Sequence, residues 1–317
     1  MLVSKTKQRK ELRYYLVSCG WQEIITYSLI SLIAKEEFKE NQNESFYRLA
    51  MPKSENHEYY RCNLLPSHLE VIKYNLAYGN RDLFFFEIST IYNPSNLQPE
   101  EWLVLSGKGK IINQSSHKLV HKVDFYWIKG MLENIFWRWR IDSQINFAPT
   151  LVNYLSPSQS AEIFLNQQKI GFVGQINPLI AKKYRINESV FATQISLTKI
   201  FSYLEKFLVP TFYQPLSNFP RSEKDLSFIF STITNYQQVI QTMKNLGGEN
   251  LREVKIFDVY QSTELEKQGK KSVSFHLIFQ SFIRTLETEE VEKVVQKIGK
   301  RVENLFQAKL RDKSKIE

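Results

Sequence analysis

No stretch of about 18 consecutive apolar residues occurs in the chain, which excludes a membrane-spanning helix of ordinary length. The opening residues Lys5, Lys7, Arg9 and Lys10, followed by Glu11, carry no apolar signal-like run, so a cytoplasmic setting is expected, with an organelle such as a plastid left open. Cysteine is scarce: Cys19 and Cys62 lie far apart and form no CxxC pair. That spacing excludes a disulfide framework and a zinc knuckle and leaves two buried free thiols as the expectation. Histidine is also sparse. His117 and His121 stand four residues apart, but no HExxH glutamate or third ligand accompanies them, so no metal is expected. The run Gly107-Lys108-Gly109-Lys110 lacks the rest of a phosphate loop and reads as a hairpin turn after a strand.

What the chain does have is a globular balance. Apolar residues make up 43% and charged residues 24% of 317 positions, enough for packed cores and long enough for two domains. The net charge of +9 points toward a polyanionic partner, yet it divides into +3 from Tyr213 onward and +6 before it, so neither part is a basic block.

Lys5 to Val17 is a predicted helix with Leu12 and Leu16 one turn apart, and Trp21 to Leu29 a predicted strand. A second helix begins near Pro66 with Leu65, Leu69, Ile72 and Leu76 in phase, ended by Gly79. Leu83 to Tyr92 is dense in aromatic and β-branched residues, as buried strands are. Asp124 is placed to cap a helix with the stripe Ile128, Leu132, Ile135 and Trp139. The Trp137-Arg138-Trp139-Arg140 run on that helix is explained by packing ahead of base stacking. Ala161 to Leu165 and Lys169 to Ile176 pair as a hairpin across Asn166-Gln167-Gln168, after which Asn177-Pro178 opens another helix.

Pro210, Pro215 and Pro220 punctuate a linker, placing a domain boundary near Phe212. Beyond it the pattern runs strand (Lys224 to Ser231), helix (Tyr236 to Gly247), strand (Leu251 to Tyr260), strand (Ser272 to Ser281), helix and a short Ala308 to Arg311 segment. The last helix carries Val291, Val294, Ile298, Val302 and Leu305 on one face, with Glu287, Glu289 and Glu290 at its positive end. The order βαββαβ is that of a ferredoxin-like sandwich.

Particular residues then carry a resemblance. Phe219-Pro220-Arg221 with Lys224-Asp225-Leu226, Ile256-Phe257-Asp258-Val259-Tyr260, Gly269-Lys270-Lys271-Ser272, Phe279-Gln280-Ser281, Arg284-Thr285-Leu286 and Glu289-Glu290-Val291 resemble, in order and spacing, the ferredoxin-fold anticodon-binding domain. Upstream, Arg61, Leu64-Leu65-Pro66, Asn75-Leu76, Gly79-Asn80 and Phe86-Glu87-Ile88 form one matching block. Ser160-Ala161-Glu162-Ile163, Gly171 and Gly174-Gln175-Ile176-Asn177-Pro178 form another. Both resemble the catalytic-like module of the bacterial-type phenylalanyl-tRNA synthetase β-subunit family, with Asn177 where a histidine is usual. The large amino-terminal modules of that family, including an acidic metal-associated region, have no counterpart in the sequence.

The resemblance implies an α+β chain. Residues 1–211 form a class II synthetase-like antiparallel sheet domain lacking catalytic motifs, and residues 212–317 an anticodon-binding domain. It implies a non-catalytic β-subunit portion that supports ATP-dependent attachment of phenylalanine to tRNA-Phe by pairing with the catalytic α subunit in a hetero-oligomer. No cofactor is expected on this chain, ATP and magnesium being handled through the α subunit. Class II catalysis needs an arginine two residues before a strand glutamate to clamp phosphates, and Phe85 stands there before Glu87. Lys182 and Lys183 after Pro178 lack the glycine-rich approach and the arginine of an active site. Asp258, Tyr260 and Ser272 match the family positions that contact the first anticodon base. A free-standing RNA-binding or regulatory module derived from such a subunit is the second reading.

Overall fold

The computed structural model describes residues 5–40, 46–92, 98–112, 120–207 and 215–311. The chain separates into two compact units, Met1–Pro210 and Thr211–Glu317, and the expected boundary residue Phe212 lies outside the described residues.

The first unit runs α1 (Lys5–Ser18), β1 (Gln22–Glu23), β2 (Leu29–Ile30), α2 (Leu32–Glu37), β3 (Tyr59–Tyr60), α3 (Leu65–Ala77), β4 (Leu83–Tyr92) and β5 (Pro99–Lys108). It continues through β6 (Lys110–Ile112), β7 (Val120–Lys122), α4 (Phe125–Trp139), β8 (Ile145–Pro149), β9 (Leu155–Leu165), β10 (Gln168–Ile176), α5 (Pro178–Lys183), β11 (Phe191–Ser196) and α6 (Leu197–Phe207). One seven-stranded sheet has the order β1-β4-β5-β11-β10-β9-β8, antiparallel except where β1 meets β4. Both of its faces are covered. Leu12, Leu16, Ile128, Leu132 and Phe201 from α1, α4 and α6 pack on one side, and Leu65, Leu69, Ile72, Ile180 and Ala181 from α3 and α5 on the other. That is why β4 begins as an unbroken run, Leu83-Phe84-Phe85-Phe86, with Phe85 in one core and Phe86 in the other.

Asp124 caps α4 as its chemistry demands, its Oδ1 accepting from the Trp127 N–H at 2.7 Å. The β9–β10 hairpin forms, turning on Asn166 and Gln167 at positive φ, with Gln168 already in the strand.

Three expectations change. Trp21 to Leu29 is not one strand: Trp21 is buried and stacks on Trp127, but Ile25 and Tyr27 stand out and only the two-residue strands β1 and β2 form. Between them the Glu87 carboxylate takes both the Thr26 hydroxyl (2.7 Å) and the Thr26 N–H (3.3 Å), drawing the backbone away from a ladder. The thiols are not buried. Cys19 is exposed at the end of α1, where Trp21 takes the inward place, and Cys62 is half-buried. Gly107 to Lys110 is a bend and not a hairpin turn, because β6 pairs with β7 and not with β5. Gly109 sits at φ +96°, where a Cβ would strike the Asp82 carboxylate that accepts the Lys110 N–H at 2.7 Å.

The second unit runs β12 (Ser222–Ser231), α7 (Tyr236–Gly247), β13 (Leu251–Tyr260), α8 (Thr263–Lys267), β14 (Lys270–Phe279), α9 (Thr288–Phe306) and β15 (Lys309–Leu310). Its antiparallel sheet has the order β13-β14-β12-β15, giving the predicted βαββαβ with α8 as an addition. Alternate residues Leu226, Phe228 and Phe230 of β12 and Val273, Phe275, Leu277 and Phe279 of β14 meet Val239 and Met243 of α7 and Val291, Ile298 and Val302 of α9. A reciprocal capping box between Glu287 and Glu290 starts α9.

Candidate nucleic-acid interface

Because side chains alternate along a strand, the residues between the core positions of the second unit project from the sheet face that α7 and α9 leave uncovered. In register across that face lie Tyr260, Ser272, Ile229 and Lys309; then Asp258, Ser274 and Ser227; then Lys255, His276 and Asp225. Two hydrogen bonds fix the assignment: Ser227 Oγ to Ser274 Oγ at 2.8 Å, and His276 Nδ1 to Asp225 Oδ1 at 2.7 Å.

The structure brings the three predicted residues together. Tyr260 is the direct cross-strand partner of Ser272, and Asp258 is one pair further along, opposite Ser274. Tyr260 is 51% exposed at the end of β13 and Asp258 is exposed beside it, whereas Ser272 is only 3% exposed and lies beneath the exposed row. The sequence reading misses Arg311. Its N–H donates to the Ser227 carbonyl at 2.8 Å, and its guanidinium stands 5.9 Å from the centre of the Tyr260 ring. The short segment at Ala308 was visible in the pattern, but its pairing with β12, which carries Arg311 to Tyr260, is a long-range contact with no local signature. An exposed ring, a carboxylate and a guanidinium on one open sheet form the combination that can stack an unpaired base, accept from its edge and neutralise its phosphate.

The first unit offers the opposite arrangement. Glu87, 1% exposed, accepts from Arg61 (Nη2 to Oε1, 2.8 Å) and from the Thr26 hydroxyl, while His68 Nε2 lies 3.5 Å from its other oxygen. Burial raises the Glu87 pKa, but His68, the Arg61 charge and Thr26 together outweigh it and bring it down to about 2. Burial holds His68 below its ordinary value against the pull of Glu87, and its Nδ1 pairs with the Ser106 hydroxyl at 2.7 Å. Arg61 also donates to Ser89 Oγ at 2.8 Å and to the Thr26 hydroxyl. The arginine and glutamate of the family-like blocks thus form one sealed ion pair. Phe85, where a phosphate-clamping arginine is needed, is 3% exposed in the core.

Elsewhere, His117 lies outside the described residues, and among those described no group of three His, Cys, Asp or Glu side chains is placed to hold a metal ion. Of the Trp137 to Arg140 run, Trp139 packs edge-on against Phe201, Arg138 lies over the Tyr15 ring at 4.6 Å, and Trp137 is exposed. No helix among the described residues is long and apolar enough to cross a membrane.

Comparison with known proteins agrees with this division. Residues 2–197 match the family described as the phenylalanyl tRNA synthetase beta chain CLM domain, and residues 217–311 match the ferredoxin-fold anticodon binding domain. The phenylalanine–tRNA ligase beta subunit of Bacillus thuringiensis subsp. konkukian is 31% identical over 316 residues, 98% of this chain and 38% of that protein. The beta subunit of Oceanobacillus iheyensis is 31% identical over 317 residues, again 38% of its length. The chain therefore spans well under half the length of the relatives it matches. A solved structure of Desulfitobacterium hafniense PylSc, a pyrrolysyl tRNA synthetase, aligns at TM-score 0.47 and 12% identity over 63% of this chain and 68% of that one.

Proposed function

This chain belongs to the phenylalanyl-tRNA synthetase β-chain family, and from that premise we propose that it is a non-catalytic β-subunit portion of phenylalanine–tRNA ligase that binds the anticodon of tRNA-Phe and pairs with the catalytic α subunit in the cytoplasm. The observation that carries the reading is the uncovered face of the second unit, where exposed Tyr260 and Asp258 stand beside Arg311. A flipped-out base lies flat on the Tyr260 ring. The Asp258 carboxylate accepts from base N–H groups, and Arg311 offers a cation to the ring and to the adjoining phosphate.

ATP and magnesium are bound through the α subunit in this account. Support comes from the first unit, whose Arg61 and Glu87 are consumed in a buried pair. Its sheet is packed by helices on both faces, leaving Phe85 no route to a phosphate. The seven-stranded sheet then acts as a scaffold that joins the catalytic subunit to the RNA-reading unit.

Co-expression with the α subunit of the same organism, followed by sizing and a phenylalanine-charging assay, tests the assembly. Co-elution with charging of tRNA-Phe is the expected result. Separate elution with tRNA binding retained points instead to a free-standing RNA-binding module.

A further inference from the structure

We propose that Phe257 is a second base platform, so that the sheet face seats two successive splayed nucleotides of single-stranded RNA and not one. The inference rests on the reading of that face as RNA-binding and adds a contact to Asp258, Tyr260 and Ser272, the three positions that the resemblance assigns to the first anticodon base.

In an unbroken strand, residue 257 would point toward the helices whenever 258 and 260 point away from them. β13 is broken at that place. Ile256 pairs with Phe275 and Asp258 with Ser274, which are adjacent in β14, so Phe257 is the extra residue of a β-bulge. The bulge turns Phe257 onto the same face as Asp258 and Tyr260. Its ring meets His276 edge-on, with centroids 6.3 Å apart and planes at 87°. His276 belongs to the uncovered face because Asp225, across β12, holds its Nδ1. Phe257 is nevertheless 57% exposed, so much of its surface is open to a ligand while the His276 ring stands against it.

The chemistry around it suits a nucleic-acid strand. Phe257 and Tyr260 are three residues apart on a bulged strand, a separation of about 7 to 10 Å, which is compatible with two unstacked neighbouring bases and too wide for one. Lys309 and Arg311 lie at the Tyr260 end of the face, and Lys255, in register with His276 beside Phe257, is paired with Glu253 at 2.8 Å. Of the carboxylates on this face, Asp225 and Glu223 are turned onto His276, at 2.7 and 3.5 Å, and Asp258 stays exposed between the two rings, where it can accept from a base edge. His276 is therefore a positioning residue for the Phe257 ring.

The test uses the full chain and a labelled single-stranded RNA with the anticodon-loop sequence of tRNA-Phe, intact or with an abasic site at each position in turn. Phe257→Leu keeps apolar bulk and removes the π face; Phe257→Trp keeps the π face. The expected result is that Phe257→Leu weakens binding about tenfold, within the range of one lost base stack, with an unchanged melting temperature, while Phe257→Trp binds within about twofold of the parent. The loss should vanish on an RNA abasic at one position, and that position should differ from the one that abolishes the effect of Tyr260→Ala. Unchanged affinity of Phe257→Leu beside a weakened Tyr260→Ala overturns the second platform alone, as does coupling of both residues to the same abasic position. A parent chain that binds none of these RNAs overturns the underlying reading and the proposal with it.

Discussion

Arg61 and Glu87 form an ion pair closed off from solvent inside the first unit. Removing one partner of a buried ion pair leaves an uncompensated charge, at a typical cost of about 3 to 5 kcal/mol. Arg61→Met is expected to lose stability in that range by denaturant titration, with tRNA binding by the folded fraction retained. The same site predicts an acid response. His68 is held below its ordinary pKa of 6.5, so its contribution is complete above pH 6.5 and declines below it as the unfolded chain takes up a proton. Glu87 is held at about 2 against an ordinary 4.5, so its contribution is lost as pH falls from 4.5 toward 2. Melting temperature against pH should therefore bend twice, and His68→Gln should flatten the upper segment. A parent profile flat from pH 7.5 to 5 contradicts the assignment. None of this was legible in the sequence, where Arg61 and Glu87 appear only as pieces of a resemblance. They stand 26 positions apart in the sequence and meet only through the fold.

Elements with a local signature were legible. The helices at Asp124 and Pro66 carry caps and stripes, and the hairpin after Ala161 carries alternation and a polar turn. β11 was not delimited, because all six of its residues are buried and show no alternation; α6 was missed although Leu197, Ile200, Phe201 and Leu204 form a helical stripe. The bulge at Phe257 was invisible for a related reason: a one-residue insertion in a register has no meaning until the partner strand is known. Gly171, by contrast, was noted only within a motif, and the structure supplies its reason. It lies in β10, where a Cβ would collide with the Gln194 carbonyl of β11. Gly171→Ala should cost about 1 to 3 kcal/mol, as overpacking typically does, with loss confined to the first unit. Equal stability by differential scanning calorimetry would show that the two strands can separate to accept a methyl group.

For the whole molecule, the modest surplus of basic residues means that the proposed RNA binding would draw on a few placed contacts more than on a general field. The residues proposed to contact RNA were partly legible. Asp258 and Tyr260 emerged through resemblance and are exposed as the chemistry requires, Ser272 proved to lie under them, and Arg311 became visible only when β15 was seen to pair with β12. Binding should weaken as salt rises, with a shallow slope set by a small number of phosphate contacts. The most direct measurement is the affinity of the full chain for tRNA-Phe at fixed salt, for the parent and for Tyr260→Ala, with Tyr260→Phe as the variant that keeps the ring. The account predicts that the parent binds, that Tyr260→Ala weakens binding by roughly one to two orders of magnitude, and that Tyr260→Phe stays close to the parent. Equal affinity of all three proteins would contradict it.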